Sequence, residues 1–248
     1  MTTQLIKLCY RNILETSTVT VTENSSFPKY RLYDRDIGKL FKTTAFASPF
    51  TIVANQGASP IYDVDRLIIP VGHNLNGLAC SLRYSTDNFS SDDHEAIGWT
   101  QSDALLIDKE FTSANKQYWK LNVTAPATII QMSEMFLTKS YAFERNPNYG
   151  LKDGKTKNVE DLESRSGRMR LVKFGEPRRY RSYQLTKIES TQKTNLQTWD
   201  DHCEGIKPLY LEDHTGDLFF AWVMTKDLIF DMEKENRWAT GMDFKEVL

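Results

Sequence analysis

Short alternating segments constrain the fold of this chain more than any other feature. In residues 16–22, hydroxyl residues alternate with β-branched ones, which is typical of a strand with one exposed face. Similar segments, separated by turn residues, recur about every ten to fifteen residues. They are residues 66–71, 79–85, 104–107, 118–123 and 128–132. This pattern predicts a β-sandwich or jelly roll over residues 1–140.

The remaining half predicts a second β domain that carries one helix, over residues 141–248. A helix is predicted for residues 190–203, with Ser190 as N-cap, Leu196 and Trp199 on one face, and Gly205 as terminator. The predicted strands of this half are residues 170–175, 181–188, 208–213, 218–224, 227–233 and 238–247. The chain is therefore expected to be mainly β, with a jelly-roll sandwich followed by a second β-sandwich domain.

Residues 145–166 are polar, rich in turn residues and poor in apolar ones. This composition predicts a long loop that links the two domains. The alternative is an arm that orders against a neighbouring subunit.

Composition excludes several classes of protein. The 248 residues include 31 basic and 33 acidic ones, for a net charge of −2, and 40% of them are hydrophobic. Such a chain can bury a core, and its near-neutrality argues against a specific nucleic-acid binder. Cys9, Cys80 and Cys203 show no disulfide or zinc spacing, which predicts buried, reduced thiols. We expect neither a signal peptide nor a membrane span, because no long apolar stretch is present.

Candidate catalytic motifs are weak. The densest group of potential metal ligands is residues 92–95, but no second His or Cys follows at ligand spacing. Residues 200–203 form a similar group at the end of the predicted helix, where they suit an exposed face. The chain has no GxSxG or HExxH motif and no phosphate-binding loop. We therefore predict a protein that is not an enzyme and needs no metal or other cofactor.

Charge is distributed unevenly within the second half. Residues 165–187 contain eight basic residues and one acidic residue, whereas residues 200–217 contain six acidic residues and one basic residue. Copies of the chain can dock head to tail through such segments and close into a ring. The alternative is that the two segments neutralise each other within one subunit. The candidate subunit-interface residues are Arg165, Arg168, Arg170, Arg178, Arg179, Arg181, Asp200, Asp201, Glu212 and Asp213.

Two motifs of the first half resemble known domains. Residues 30–44 are similar to the Leu-x-Asp-x6-Trp-x-Ser/Thr element of galactose-binding-like (discoidin-type) jelly rolls, with Phe41 in place of the Trp. Residues 64–82 resemble the strand, His-Asn-Leu, Gly, strand signature of such domains in tailed-phage proteins. Residues 118–121 fit a later strand of the same roll. The resemblance covers residues 10–135 and implies a galactose-binding-like fold.

The second half resembles the β domain of distal-tail and related tail-tip ring proteins. The similar segments are residues 166–179, the helix, residues 207–213 and the closing residues 237–248. The resemblance implies a structural component of a phage tail tip or baseplate, assembled in the host cytoplasm and located in the virion. It further implies a homo-oligomeric ring, hexameric or trimeric, that joins the tail tube to baseplate or receptor-binding proteins.

Glycan binding is the alternative function that the jelly roll implies. Discoidin-type domains bind ligands with aromatic and charged residues on loops at one end. The corresponding loops here contain Phe27 and Phe89 and few other aromatic residues. No sugar-binding residue is therefore assigned from the sequence.

Overall fold

The structure is a computed structural model that describes residues 4–44, 48–59, 61–145, 152–156, 159–163, 169–173, 176–225 and 227–247. It divides into two compact units, one formed by residues 1–10 with 141–248 and the other by residues 11–140. The first unit is thus interrupted by the second. The described helix is not of the long, apolar kind that crosses a membrane.

Strands account for most of the regular structure, and the predicted mainly β fold is confirmed. Within the residues that the structure describes, the unit of residues 11–140, which we call the sandwich, contains ten strands and two short 3-10 helices. In chain order the elements are β1 (Lys7–Cys9), β2 (Thr18–Thr20), β3 (Phe41–Lys42), β4 (Phe50–Asn55), β5 (Asp63–Ile69), β6 (Ala79–Ser85), β7 (His94–Thr100), β8 (Ile107–Asn115), β9 (Tyr118–Thr124), β10 (Gln131–Met132), β11 (Phe136–Thr138), β12 (Tyr141–Ala142), β13 (Lys152–Thr156), β14 (Val159–Glu163), β15 (Met169–Lys173), β16 (Arg178–Ile188), α1 (Ser190–Cys203), β17 (Leu209–Glu212), β18 (Leu218–Val223), β19 (Asp231–Lys234) and β20 (Arg237–Glu246). The 3-10 helices are Ile13–Glu15 and Lys29–Leu32.

The sandwich contains a five-stranded antiparallel sheet in the order β2-β4-β9-β6-β7 and a three-stranded sheet in the order β11-β5-β8. Alternation along the strands builds the core, because successive side chains point to opposite faces of a sheet. Ile52, Leu82, Trp119 and Leu121 are buried in one hydrophobic cluster with Leu67. Of the predicted strands of this half, residues 104–107 fit least, since β8 begins only at Ile107.

The other unit contains an eight-stranded sheet in the order β12-β1-β17-β18-β20-β16-β13, with β19 paired to β20. Its helix α1 has the predicted bounds, but the N-cap is Glu189 and Ser190 is the first helical residue. The buried helical face includes Leu196 and Trp199, and the Trp199 ring lies 6.2 Å from that of Phe244 in the sheet. The helix thereby covers the apolar face of the sheet.

Two predicted boundaries differ from the structure. The first ten residues, assigned above to the first domain, contribute β1 to the other unit, where it pairs with β17 and β12. A strand of three residues is too short for its alternation to predict pairing with a strand about two hundred residues away. The predicted loop of residues 145–166 contains two strands: β13 pairs with β16, and β14 pairs with β15. Charged residues suit such edge strands, since they discourage pairing with other chains. The rest of that predicted loop beyond Arg145 lies outside the described residues.

Candidate functional site

The outer face of the five-stranded sheet holds the candidate site. Cys80 and Leu82 of β6 point into the core, so Ala79 and Ser81 point outward. Ser81 pairs with Gly98 of the edge strand β7. This side of the sheet is therefore polar and exposed at its edge.

A groove of about 430 Å³ lies on this face. We call it the outer groove, and its lining residues are Ala79, Cys80, Ser81, Glu95, Gly98, Trp99, Thr100 and Thr124. Ser81, Thr100 and Thr124 contribute hydroxyl groups, each of which can donate and accept a hydrogen bond. The groove is open to solvent and has a polar lining, and β-sheet backbone forms its base.

Gly98 makes room for the Glu95 side chain at the floor of the outer groove. A Cβ atom at this position would lie 2.8 Å from Oε1 of Glu95, which is closer than van der Waals contact permits. The Glu95 carboxylate therefore lies directly over the α-carbon of Gly98. A glycine within a strand often marks a place where another group approaches the backbone closely.

Neighbouring charges leave the Glu95 carboxylate only partly neutralised. Arg83 donates from Nε to Oδ1 of Asp93 at 2.7 Å, and its Nη1 lies 3.3 Å from Oε2 of Glu95. Lys120 also contacts Asp93, with Nζ 3.4 Å from Oδ2. Burial raises the pKa of Asp93, but Arg83 and Lys120 outweigh it and hold that pKa below its usual range. Both cations thus contact Asp93, and Glu95 supplies the one carboxylate among the residues that line the groove.

The acidic cluster of residues 92–95 includes Glu95 of the groove, and its members Asp92, Asp93 and His94 have local partners. Asp92 Oδ1 lies 2.6 Å from Nε2 of His94, and Asp92 Oδ2 accepts a hydrogen bond from the backbone N–H of Thr86 at 2.8 Å. These bonds from Thr86 and His94 hold the pKa of Asp92 below its usual range. In the described parts of the chain, no group of three His, Cys, Asp or Glu side chains is arranged to hold a metal ion.

The loop aromatics are covered by cations. Lys42 Nζ lies 4.4 Å from the ring centre of Phe27, and Lys120 Nζ lies 3.8 Å from that of Phe89. One face of each ring is therefore occupied, so neither ring is an open stacking platform on that side.

The predicted His-Asn-Leu motif joins three loops at one end of the sandwich. The backbone N–H of Leu75 donates to Nδ1 of His73, and Nε2 of His73 lies 2.7 Å from the carbonyl of Leu105. The proton of this imidazole therefore belongs on Nε2, which donates to that carbonyl. Asn74 donates from Nδ2 to the carbonyl of Ile129 at 2.8 Å. The motif thus has a structural role, and its side chains do not form a sugar site.

The predicted subunit-interface residues are dispersed in the structure. Arg165 and Arg168 lie outside the described residues, and Arg170 belongs to β15. Arg178 is half-buried at the start of β16. Asp200 and Asp201 lie in α1, and burial, followed by the charge of Asp201, raises the pKa of Asp200. Glu212 is buried and forms an ion pair with Lys7 at 3.3 Å.

The remaining interface candidates find partners inside the same unit. Arg179 donates from Nε to Oε1 of Glu246 at 3.0 Å, and Arg181 donates from both Nε and Nη2 to Oδ2 of Asp213. Arg181 also bonds Asp153. Of these pairs, Arg181–Asp213 joins the basic segment to the acidic segment within one subunit. Docking between copies stays a prediction.

Sequence reasoning missed the outer groove. β7 was not predicted as a strand, because the acidic residues before it are typical of a loop. Gly98 beside Trp99, within an otherwise strand-like segment, was the available signal. Its meaning depends on Ser81 and Thr124, which come from other strands.

Comparisons with known proteins give structural similarities only. No protein-family model and no curated protein sequence matches the chain. The chain is similar to chitosan-binding module 1 of a chitosanase/glucanase from Paenibacillus sp. IK-5, with 16% identity and a TM-score of 0.44, over 52% of this chain and 99% of that chain. It is similar to CpGH89CBM32-5 from Clostridium perfringens, in complex with GalNAc-β-1,3-galactose, with 13% identity and a TM-score of 0.43, over 52% and 100% of the two chains. It is also similar to CBM32-1 from a family 31 glycoside hydrolase of Clostridium perfringens, with 16% identity and a TM-score of 0.42, over 52% and 99%.

The galactose-binding-like resemblance of the first domain stays an expectation from its sequence motifs. The resemblance of the second domain to distal-tail proteins stays a prediction.

Proposed function

We propose that the sandwich is a carbohydrate-binding module and that the outer groove holds the sugar. The observation that carries this proposal is the groove lining, in which hydroxyl groups from three strands surround one carboxylate. Sugars present dense arrays of hydroxyl groups, which pair with side chains that both donate and accept hydrogen bonds. A fold alone does not establish a function, so the proposal depends on these residues.

The geometry of the groove suits an oligosaccharide. Its open side leaves room for a chain that extends beyond the bound units. Gly98 makes room for the Glu95 carboxylate, which would otherwise meet a Cβ atom. No catalytic step is part of the proposal, and the module would bind glycan without altering it.

A glycan array with the full chain, followed by calorimetry on the best ligands, tests the proposal. Thr100→Phe places a large ring in the groove, whereas Thr20→Phe makes the same change at an exposed position on the opposite edge strand of the same sheet. We expect Thr100→Phe to weaken binding at least about tenfold, or about 1.4 kcal/mol, and Thr20→Phe to leave it unchanged. Absence of glycan binding, or equal binding by both variants, would contradict the proposal.

A second proposal is that the chain is a structural part of a phage tail tip or baseplate, with a ring of subunits that carries the sandwich. The observation in its favour is that the sandwich is inserted into the other unit, between its strands β1 and β12. Such an insertion suits a scaffold that displays a module. Native mass spectrometry of the full chain at high concentration tests it: a hexamer or trimer supports the ring, and a strict monomer contradicts it.

A further inference from the structure

The outer groove carries a charge that selects among sugars. This inference rests on the proposed function and concerns the class of glycan. Of the residues that line the groove, Glu95 and Cys80 are ionisable. Burial raises the pKa of the Cys80 thiol to about 11, so the thiol is neutral and Glu95 alone brings charge.

The Glu95 carboxylate is positioned for a ligand at one of its two oxygens. Oε2 faces Nη1 of Arg83 at 3.3 Å, whereas Oε1 lies over Gly98 on the groove side. Within the described residues, no hydrogen bond is found to Oε1. Its position toward the open groove leaves room for a donor from the ligand.

Asp93 shares the nearby cation Arg83 with Glu95. Arg83 makes its shorter bond to Asp93, at 2.7 Å, and Lys120 also contacts that residue. Hydrogen bonds in which the donor or the acceptor is ionised are about twice as strong as those between two neutral groups. We propose that the outer groove binds amino sugars, with a protonated primary amine of the ligand donating to Oε1 of Glu95 and the hydroxyl groups of Ser81, Thr100 and Thr124 contacting the sugar ring.

N-acetylation of the sugar distinguishes the preference for an amine from glycan binding in general. An N-acetylated sugar has the same ring and hydroxyl groups, but its amide is neutral and bulkier than the amine. The groove should therefore prefer glucosamine units to N-acetylglucosamine units. The preference should weaken with salt, because the Glu95 side chain is about half exposed, at 52%, and its attraction is screened.

Calorimetry with the full chain and two oligomers of equal length, one of glucosamine and one of N-acetylglucosamine, tests this inference. We expect Glu95→Gln to weaken binding of the glucosamine oligomer about tenfold and so to abolish its advantage over the N-acetylated oligomer. Asp63→Asn removes one exposed charge from the opposite sheet and serves as the control. Asp93→Asn should also weaken the glucosamine complex, since Arg83, which already contacts Glu95, then loses its competing carboxylate.

The outcomes separate the two claims. Equal binding of both oligomers would leave the glycan-binding function standing and overturn the amine preference. Failure of both oligomers and of every other glycan would overturn the function itself. Spermine provides a probe with amines and no sugar ring: binding as tight as that of the glucosamine oligomer would show attraction to charge alone and overturn the amino-sugar inference.

Discussion

Arg181 and Asp213 form a buried ion pair in which one guanidinium donates twice to one carboxylate oxygen. The Nε–Oδ2 and Nη2–Oδ2 distances are both 3.0 Å, and the two side chains are 6% and 0% exposed. Burial raises the pKa of Asp213, but hydrogen bonds from Thr215 and Arg181 outweigh it and hold the pKa below its usual value of 3.8. The pair joins the basic segment of β16 to the acidic turn after β17.

Asp213→Ala should lower the free energy of unfolding by about 3 kcal/mol, because it leaves the buried Arg181 without its main partner. Urea denaturation at neutral pH measures the loss. Asp153→Ala, at the exposed partner of the same arginine, should cost about 1 kcal/mol or less and is the control. Equal losses for the two variants would contradict the central role of Asp213.

Acid should weaken the same pair. Because the pKa of Asp213 is lowered in the folded chain, its contribution is complete above pH 3.8 and is lost as the pH falls below that value. Unfolding curves measured from pH 5 down to pH 2 should show a steeper loss of stability for the wild type than for Asp213→Ala. Parallel curves would show that Asp213 titrates normally.

Glu134 should make the sandwich less stable as the pH rises. Its side chain is fully buried, and burial, followed by the charge of Asp34, raises its pKa to about 9. Between pH 4.5 and pH 9 the unfolded chain releases a proton that the folded chain retains, so the free energy of unfolding falls with pH. The Gln side chain of Glu134→Gln stays neutral. The free energy of unfolding of this variant should therefore rise relative to that of the wild type, by up to about 1.4 kcal/mol per pH unit in this range. Denaturant unfolding at several pH values measures the difference, and a difference that is constant with pH would exclude a raised pKa.

Asn74 should hold the loop end of the sandwich together. Its side-chain amide donates to the carbonyl of Ile129 and accepts from the N–H of Gln131 at 2.9 Å. Asn74→Ala leaves these groups unpaired and should lower the free energy of unfolding by about 2 kcal/mol. Asn76→Ala changes an exposed residue of the same loop and should have little effect, as thermal unfolding of both variants would show.

The three cysteines should resist thiol reagents in the folded protein. Cys9, Cys80 and Cys203 are 0%, 4% and 1% exposed, and burial raises the pKa of the Cys80 thiol to about 11. The thiolate is the reactive form, so labelling by a disulfide reagent near neutral pH should be slow. The same chain in denaturant should react at all three positions. Rapid labelling of the native protein would contradict this burial.

The sequence determined those elements whose evidence is local. The bounds of α1 follow from the spacing of Leu196 and Trp199 and from the Gly205 terminator, and those of β6 follow from strict alternation. In both, neighbouring residues carry the full pattern, since helices and strands repeat over two to four residues. The same periodicity established the mainly β class.

Tertiary structure decided what depends on distant partners. β1 and β13 are strands because β17 and β16 supply their backbone hydrogen bonds. β1 is too short and β13 too polar for their own sequences to require a strand. Arg181 and Asp213, interpreted separately as two opposite patches, neutralise each other once β16 and β17 share a sheet. The outer groove exists only because β6, β7 and β9 bring Ser81, Gly98 and Thr124 onto one face. The sequence specifies each side chain, but pairing between strands determines which distant side chains lie close together.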